Sequence, residues 1–361
     1  MSPVSANQPR ELGEAGRSSP PRADAGPLEN PPSEAKPSLP SGPGFAFIAM
    51  QRYGLLVLFA LVVVGFSLLL PESFPTLLNF RNIAGNQSVL AIVTLAAIIP
   101  LICGHFDLSI GAGLGVSSIA TASLLSQYNA PLPIAIVVGI ALGAGIGLFN
   151  GLIIAKLGVN ALITTLGVAT VLTGLTTLYT GGLSIVTGIP DALTSIGSGA
   201  FLGLPWPLYL LGVVALLVYY LLEHTPWGRH LHAVGSNPVA ARLVGLNVDR
   251  IVITSFVVSG ALVGFAGVLQ VARQGGGNPQ IGGYFMMPAL SAAFLGATSI
   301  QPGRFNVPGT LLAVFFLATS VSGLSLFGVD NWVESLFNGT ALVVAVALST
   351  VLGRRLTGGR S

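Results

Sequence analysis

Residues 132–155 read LPIAIVVGIALGAGIGLFNGLIIA, an uncharged run closed by Lys156. About 20 mainly apolar residues are enough to cross the hydrocarbon core of a bilayer as a helix, whose backbone polar groups are satisfied internally. Gly139, Gly143, Gly147 and Gly151 recur at every fourth position of this run and share one helical face. In lipid there is little hydrophobic drive between helices, so attraction must come from close backbone approach along such small residues. Gly260 and Gly264 repeat the spacing further on. The face serves tight packing, and it also offers a smooth surface along which helices can shift.

Working outward, nine further apolar stretches accompany it, and the ten fall at 53–70, 83–103, 108–126, 132–155, 161–180, 206–222, 251–270, 284–300, 307–325 and 332–351. With 52% hydrophobic residues, 7% charged residues and a mean hydropathy of +0.82, the chain carries too little charge to cover a soluble domain of its length. The expectation is an all-α, polytopic transmembrane helical bundle with about ten spans over residues 45–352. Orientation follows from the basic residues. With the N-terminus inside, Arg52, Lys156, Arg229, Arg242, Arg250, Arg304, Arg354, Arg355 and Arg360 lie inside, and Arg81 and Arg273 outside. That bias places both termini in the cytoplasm. The short turn at 104–107 leaves open a broken or re-entrant second segment.

Residues 1–44 hold ten of the 24 prolines with four basic and five acidic residues, and read as a disordered cytoplasmic tail. Residues 353–361 read as a second one. The outside segment 181–205 is long enough for a cap or ledge but not for a receptor domain, so high-affinity capture of a solute falls to another protein.

The inside loop 223–250 reads EHTPWGRHLHAVGSNPVAARLVGLNVDR. Asn237 suits an N-cap, Pro238 the first helical position, and Gly245 a left-handed terminator, which predicts a two-turn helix between them. Alone in water so short a helix does not hold. Ala240 and Ala241 allow close approach, Leu243 and Val244 offer apolar contact, and Arg242 carries a multi-donor head. A lid over the bundle and a docking element for a partner both fit.

Within the spans, Asp107 in GHFDLSIG (104–111) reads either as the cap of the third span or, with Ser109, as a pathway residue. Asn86 and Gln87 are expected to line an interior face. Asn150, Asn160, Thr164, Thr165 and Asn338 are further polar positions for packing or a gate. The chain lacks a GxxxxGK[ST] phosphate loop, HExxH, GxSxG or paired carboxylates, so it is not expected to be an enzyme. No catalytic, cofactor or metal site is expected: Cys103 is alone, and His105, His224, His230 and His232 have no cysteine-rich company. A net charge of +3, scattered along the chain, excludes a nucleic-acid partner.

Several blocks together resemble the permease subunits of bacterial ATP-binding-cassette importers, in the branch that carries ribose and related monosaccharides. They are GHFDLSIG (104–111), GLFNGLIIAKLGVNALITTLG (147–167), GRHLHAVGSNPVAARLVGLNVDR (228–250), LGATSIQPGRFNVPGTLLA (295–313) and GLSLFGV with the later Asn338–Gly339. The resemblance implies an inner-membrane location and a second permease copy or close relative around one pathway. It also implies separate cytoplasmic ATPase subunits that use the ATP, and a periplasmic or tethered solute-binding protein. It places Asn237, Ala240, Ala241, Arg242 and Gly245 at the helix that couples to the ATPase. The chain departs from the pattern at His105 and Phe106, where a glycine and an aliphatic residue are usual, and at Gln301 and Pro302, where a glycine-rich turn is usual. Branched-chain amino acids or another small polar solute within the same importer class, or ion-coupled secondary transport, are the competing expectations.

Overall fold

The computed structural model describes residues 45–330 and 332–356, with side chains over 52–330 and 332–347. The proline-rich tail expected over 1–44 and residues 357–361 lie outside them. Each of the ten apolar stretches forms a helix: α1 (Phe45–Leu69), α2 (Leu77–Ile102), α3 (Ile110–Ser126), α4 (Leu132–Leu157), α5 (Ala161–Thr180), α7 (Trp206–His224), α10 (Val248–Gln274), α11 (Ile281–Gly296), α12 (Val307–Leu326) and α13 (Trp332–Leu356). Seven of them, α1, α2, α4, α5, α7, α10 and α12, are long and apolar enough to cross a membrane. Of the remaining three, α3 and α11 fall short of the expected full-length spans with 17 and 16 residues, whereas α13 is a helix of 25 residues. Between α5 and α7 lie α6 (Asp191–Ser198) and a hairpin of β1 (Ala200–Phe201) and β2 (Leu204–Pro205). Two short helices, α8 (Pro226–Ser236) and α9 (Pro238–Leu243), follow α7.

The helices begin where local chemistry satisfies their first N–H groups. Thr76, Asn160, Asn247 and Asn306 each accept backbone N–H groups at the starts of α2, α5, α10 and α12. α2 and α10 lie in the middle of the bundle: every residue of α2 from Ala91 to Ile102 is buried. A helix apolar all round can only be placed so. α1, α5 and α7 instead expose aliphatic side chains such as Leu61, Leu68, Leu178 and Leu216 over their outer faces, as lipid-facing helices do.

The glycine face of α4 lies directly on α10. A Cβ at Gly143 would strike the backbone of Gly260 and Gly264, and one at Gly147 the carbonyl of Phe256. At Gly151 it would come within 2.9 Å of Ile253 Cα, and at Gly139 within 2.7 Å of Val268 Cγ2. Two more glycine pairs meet in the same way, Gly111 of α3 with Gly282 of α11, and Gly296 of α11 with Gly309 of α12.

The bundle has two distinct ends. One gathers Arg52, whose carbonyl accepts from Ile300 N, the ends of α2 and α4, the pair α8–α9 and the start of α10. It is called here the Lys156 end. At the other, Arg81 donates through Nε to Gly203 O (2.7 Å), and Arg273 donates to Gly197 O (2.7 Å) and to Asn86 Oδ1. The two arginines thereby hold the hairpin and α6 onto α2 and α10.

Candidate functional site

At the Lys156 end, α8 and α9 form a platform. Thr225 accepts from Gly228 N (3.3 Å) to start α8, which buries Gly228, Leu231 and Val234 against the bundle. Gly235 brings it so close to the last turn of α2 that a Cβ there would collide with the Ile102 carbonyl. Asn237 then accepts from Val239 N and Ala240 N (3.0 Å each), which caps α9 as the sequence predicts. Gly245 closes it at φ +87°, a conformation in which a Cβ would be strained.

Ala241 is the buried residue of α9, and it faces the chain itself. Ala240 is exposed, and Val239, Leu243 and Val244 are 66%, 84% and 77% exposed. Arg242 does not stand free: its Nη2 donates to Asp249 Oδ1 (3.2 Å), while Lys156 Nζ of α4 reaches Asp249 Oδ2 (3.1 Å). Asp249, in the first turn of α10, therefore ties α9 to α4 across 93 residues of sequence. A carboxylate at a helix N-terminus is also favoured by the helix dipole. Neither Asp249 nor the α8 helix is apparent from the loop alone, because both depend on packing against α2 and α4. Behind the platform lies a cavity of about 410 Å³ bounded by Cys103, His105, Val234, Arg242, Asp249 and Val252 among others.

That cavity abuts the non-helical stretch 103–109 that separates α2 from α3. There the Asp107 carboxylate Oδ1 accepts from Ser109 N–H (2.9 Å) and from the Ser109 hydroxyl (2.6 Å). Ser109 is the N-cap of α3, so Asp107 supports the cap from two residues before it. Ser109 Oγ in turn accepts from Asn150 Nδ2 of α4 (2.8 Å), and Leu108 N donates to Thr165 Oγ1 of α5 (3.0 Å). Asp107, Ser109, Asn150 and Thr165 are all buried, and they join the starts of α3 and α5 to α4. The buried oxygens Asn150 Oδ1 and Thr164 Oγ1 make no hydrogen bond among the described residues. Asn150 lies seven residues before the end of α4, roughly 10 Å at 1.5 Å per residue, so the cluster sits near the Lys156 end and not at the middle of the bundle.

Asn86 and Gln87 belong elsewhere. Asn86 is exposed and held by Arg273 at the opposite end, with half-buried Gln87 beside it. The structure thus does not bring them together with Asp107 and Ser109. Asn160 caps α5, and the Asn338 carbonyl of α13 accepts from Ser291 of α11 (2.9 Å). His224 stacks on Tyr220, and His232 is half-buried in α8 beside Arg304 and Glu223. Burial and the Arg304 charge hold its pKa below the usual histidine value, against a smaller opposing pull from Glu223. Among the described residues, no three of His, Cys, Asp and Glu come together as a metal site would require.

Residues 79–346 match the family described as the branched-chain amino acid transport system / permease component. The chain is 34% identical over 301 residues to the ribose import permease protein of Escherichia coli strain K12, which covers 82% of this chain and 92% of that one. It is 27% identical over 304 residues to the D-allose transport system permease protein of the same strain (84% and 93% covered). To the autoinducer 2 import system permease protein of Salmonella paratyphi B it is 32% identical over 280 residues (75% and 84%). No solved structure gives a significant match.

Proposed function

Because the chain belongs to this permease family of ATP-binding-cassette importers, in its sugar-type branch, and is a multi-pass transport subunit of the bacterial inner membrane, we propose that it forms the pathway for a ribose-like monosaccharide. It crosses the membrane ten times, with α3, α11 and α13 completing the seven longer spans, and the Lys156 end faces the cytoplasm. The tails 1–44 and 353–361 lie on that side. A second copy or close relative completes the pathway, an external solute-binding protein delivers the sugar, and separate ATPase subunits drive the cycle. Membership of the importer family removes the need for ion coupling.

The observation that carries this reading is α9. A six-residue helix is held by one cap, one buried alanine and one ion-pair cluster, yet with its C-cap Val244 it presents three aliphatic side chains to water. Fully burying such a side chain contributes roughly 1.5–3 kcal/mol. A groove on the ATPase that covers Val239, Leu243 and Val244 makes α9 the coupling helix, with Arg242 at its edge. The Asp107–Ser109–Asn150–Thr165 cluster acts as the inner gate, because it bonds the break before α3 to two neighbouring spans. The glycine face of α4 is the rigid surface against which that gate works.

The test is purification of the tagged chain in mild detergent from its own membrane, with and without Arg242→Ala. A stoichiometric ATPase is expected with the unaltered chain. The variant is expected to lose transport and coupled ATP hydrolysis while the binding protein still captures its solute. An intact, transport-active chain that carries no ATPase overturns the proposal. The second reading, a permease for branched-chain amino acids, follows the family's description and is separated from the first by which solute is taken up.

A further inference from the structure

We propose that the cavity between the end of α3, the end of α5 and the loop 183–187 is an entry subsite for a neutral, polyhydroxylated solute of monosaccharide size. The inference rests on the importer reading and adds to it a place and a chemistry. The cavity holds about 320 Å³ and is lined by Ser126, Gln127, Tyr179, Thr180, Ser184 and Thr187, with three aliphatic residues of the loop. It lies at the end of the bundle away from Lys156, where a solute handed over by an external binding protein would arrive. Small-molecule sites start at roughly 300 Å³.

The polar groups are partly organised and partly free. Gln127 Oε1 lies 3.1 Å from the hydroxyls of both Ser123 and Tyr179, and those two hydroxyls also meet each other, so the three share two protons and fix the amide and the phenol ring relative to one another. The Gln127 NH2 and the hydroxyls of Ser126, Ser184 and Thr187 form no side-chain hydrogen bond within the described residues, and so remain available to a ligand. The Tyr179 ring adds a flat apolar face of the kind that packs on sugar C–H groups. The loop is pinned: Ile185 and Gly277 exchange two backbone hydrogen bonds of 2.9 Å, so the wall is in place before a ligand arrives. A preformed wall spares the ordering cost of binding.

The wall also discriminates. None of its lining residues is Asp, Glu, Lys or Arg. A zwitterionic amino acid entering it would give up hydration of two charges and meet no countercharge, which is costly. A neutral sugar gives up no charge there and meets hydroxyl and amide groups able to bond its own hydroxyls.

The test uses the single native thiol. Cys103 is buried, so Ser184→Cys places one exposed thiol at the cavity. Labelling by a membrane-impermeant maleimide is followed in proteoliposomes of the permease with its ATPase, in the presence of D-ribose or of L-leucine. D-ribose is expected to slow labelling severalfold and L-leucine to leave it unchanged. No slowing by D-ribose, or equal slowing by both, overturns the proposal. Tyr179→Phe, which keeps the ring and removes the hydroxyl that meets Gln127 and Ser123, is expected to raise the half-saturating sugar concentration for uptake while ATPase coupling stays intact; an unchanged value counts against the site. Uptake of labelled D-ribose against L-leucine by the unaltered importer tests the sugar reading separately.

Discussion

The α4–α10 seam and the α9 helix use small residues for opposite ends. In the seam, glycine removes side chains so that two backbones touch, and every contact is completed inside the chain. In α9, Ala241 makes one such inward contact, while the aliphatic side chains around it point away and none of the described residues covers them. The seam is finished structure. The helix is half of an interface. The difference teaches that burial, and not residue type, separates a packing role from a docking role: Ala240 and Ala241 are neighbours of the same kind, and only the second is buried.

The seam gives the largest expected effect. Gly147→Ala pushes a methyl into the Phe256 carbonyl, and such overpacking costs about 1–3 kcal/mol. Gly145→Ala, two positions away on the exposed side of the same helix with nothing within 4 Å, is expected to raise stability by roughly 0.5–1 kcal/mol through helix propensity. Thermal unfolding of the two variants in detergent checks the contrast. Equal behaviour would mean that the seam does not pack as described.

Leu243→Ser reverses the pattern. An exposed position of this sort changes stability by less than about 0.5 kcal/mol, but ATPase capture in pull-down titrations is expected to weaken about tenfold, or ~1.4 kcal/mol. Retained capture would reduce α9 to a lid.

Asp249→Asn tests the link between the two regions, since Asp249 belongs to α10 yet holds α9. The ion pairs to Lys156 and Arg242 are part-exposed and each worth about 0.2–1 kcal/mol, so the fold should persist. Transport per ATP hydrolysed is expected to fall severalfold, and Asp249→Glu to restore part of it. The smallest effect concerns His232. With its folded pKa below the unfolded value, the unfolded chain binds more protons between the two, so stability rises with pH through that window and is lost as pH falls toward the folded value. Unfolding scans at pH 7.5 and 5.5 should show a pH dependence that His232→Gln lessens.

What could be read in the sequence was local. The apolar stretches, the Asn237 cap, the Gly245 terminator and the four-residue glycine period each sit within a few residues, and each is present. What could not be read joins distant segments. The sequence does not show that Gly111 meets Gly282 or that Gly296 meets Gly309, because each pair comes from two different helices. The Lys156–Asp249 pair spans 93 residues. Asp107 had two readings because the sequence shows the cap but not Asn150, which arrives on α4 and turns the cap into a cluster. Nor does the sequence show that Asn86 meets Arg273, 187 residues further on.

The meeting of Gly235 with Ile102 has a mechanical meaning. Side chains between two helices act as cushions, because a small push can be absorbed by a change of rotamer. Here the carbonyl of one helix rests against the bare α-carbon of the other, and close-packed protein is nearly incompressible. The joint therefore works like a gear without backlash. A push on α8 bears directly on the end of α2, one residue before the chain breaks toward Asp107.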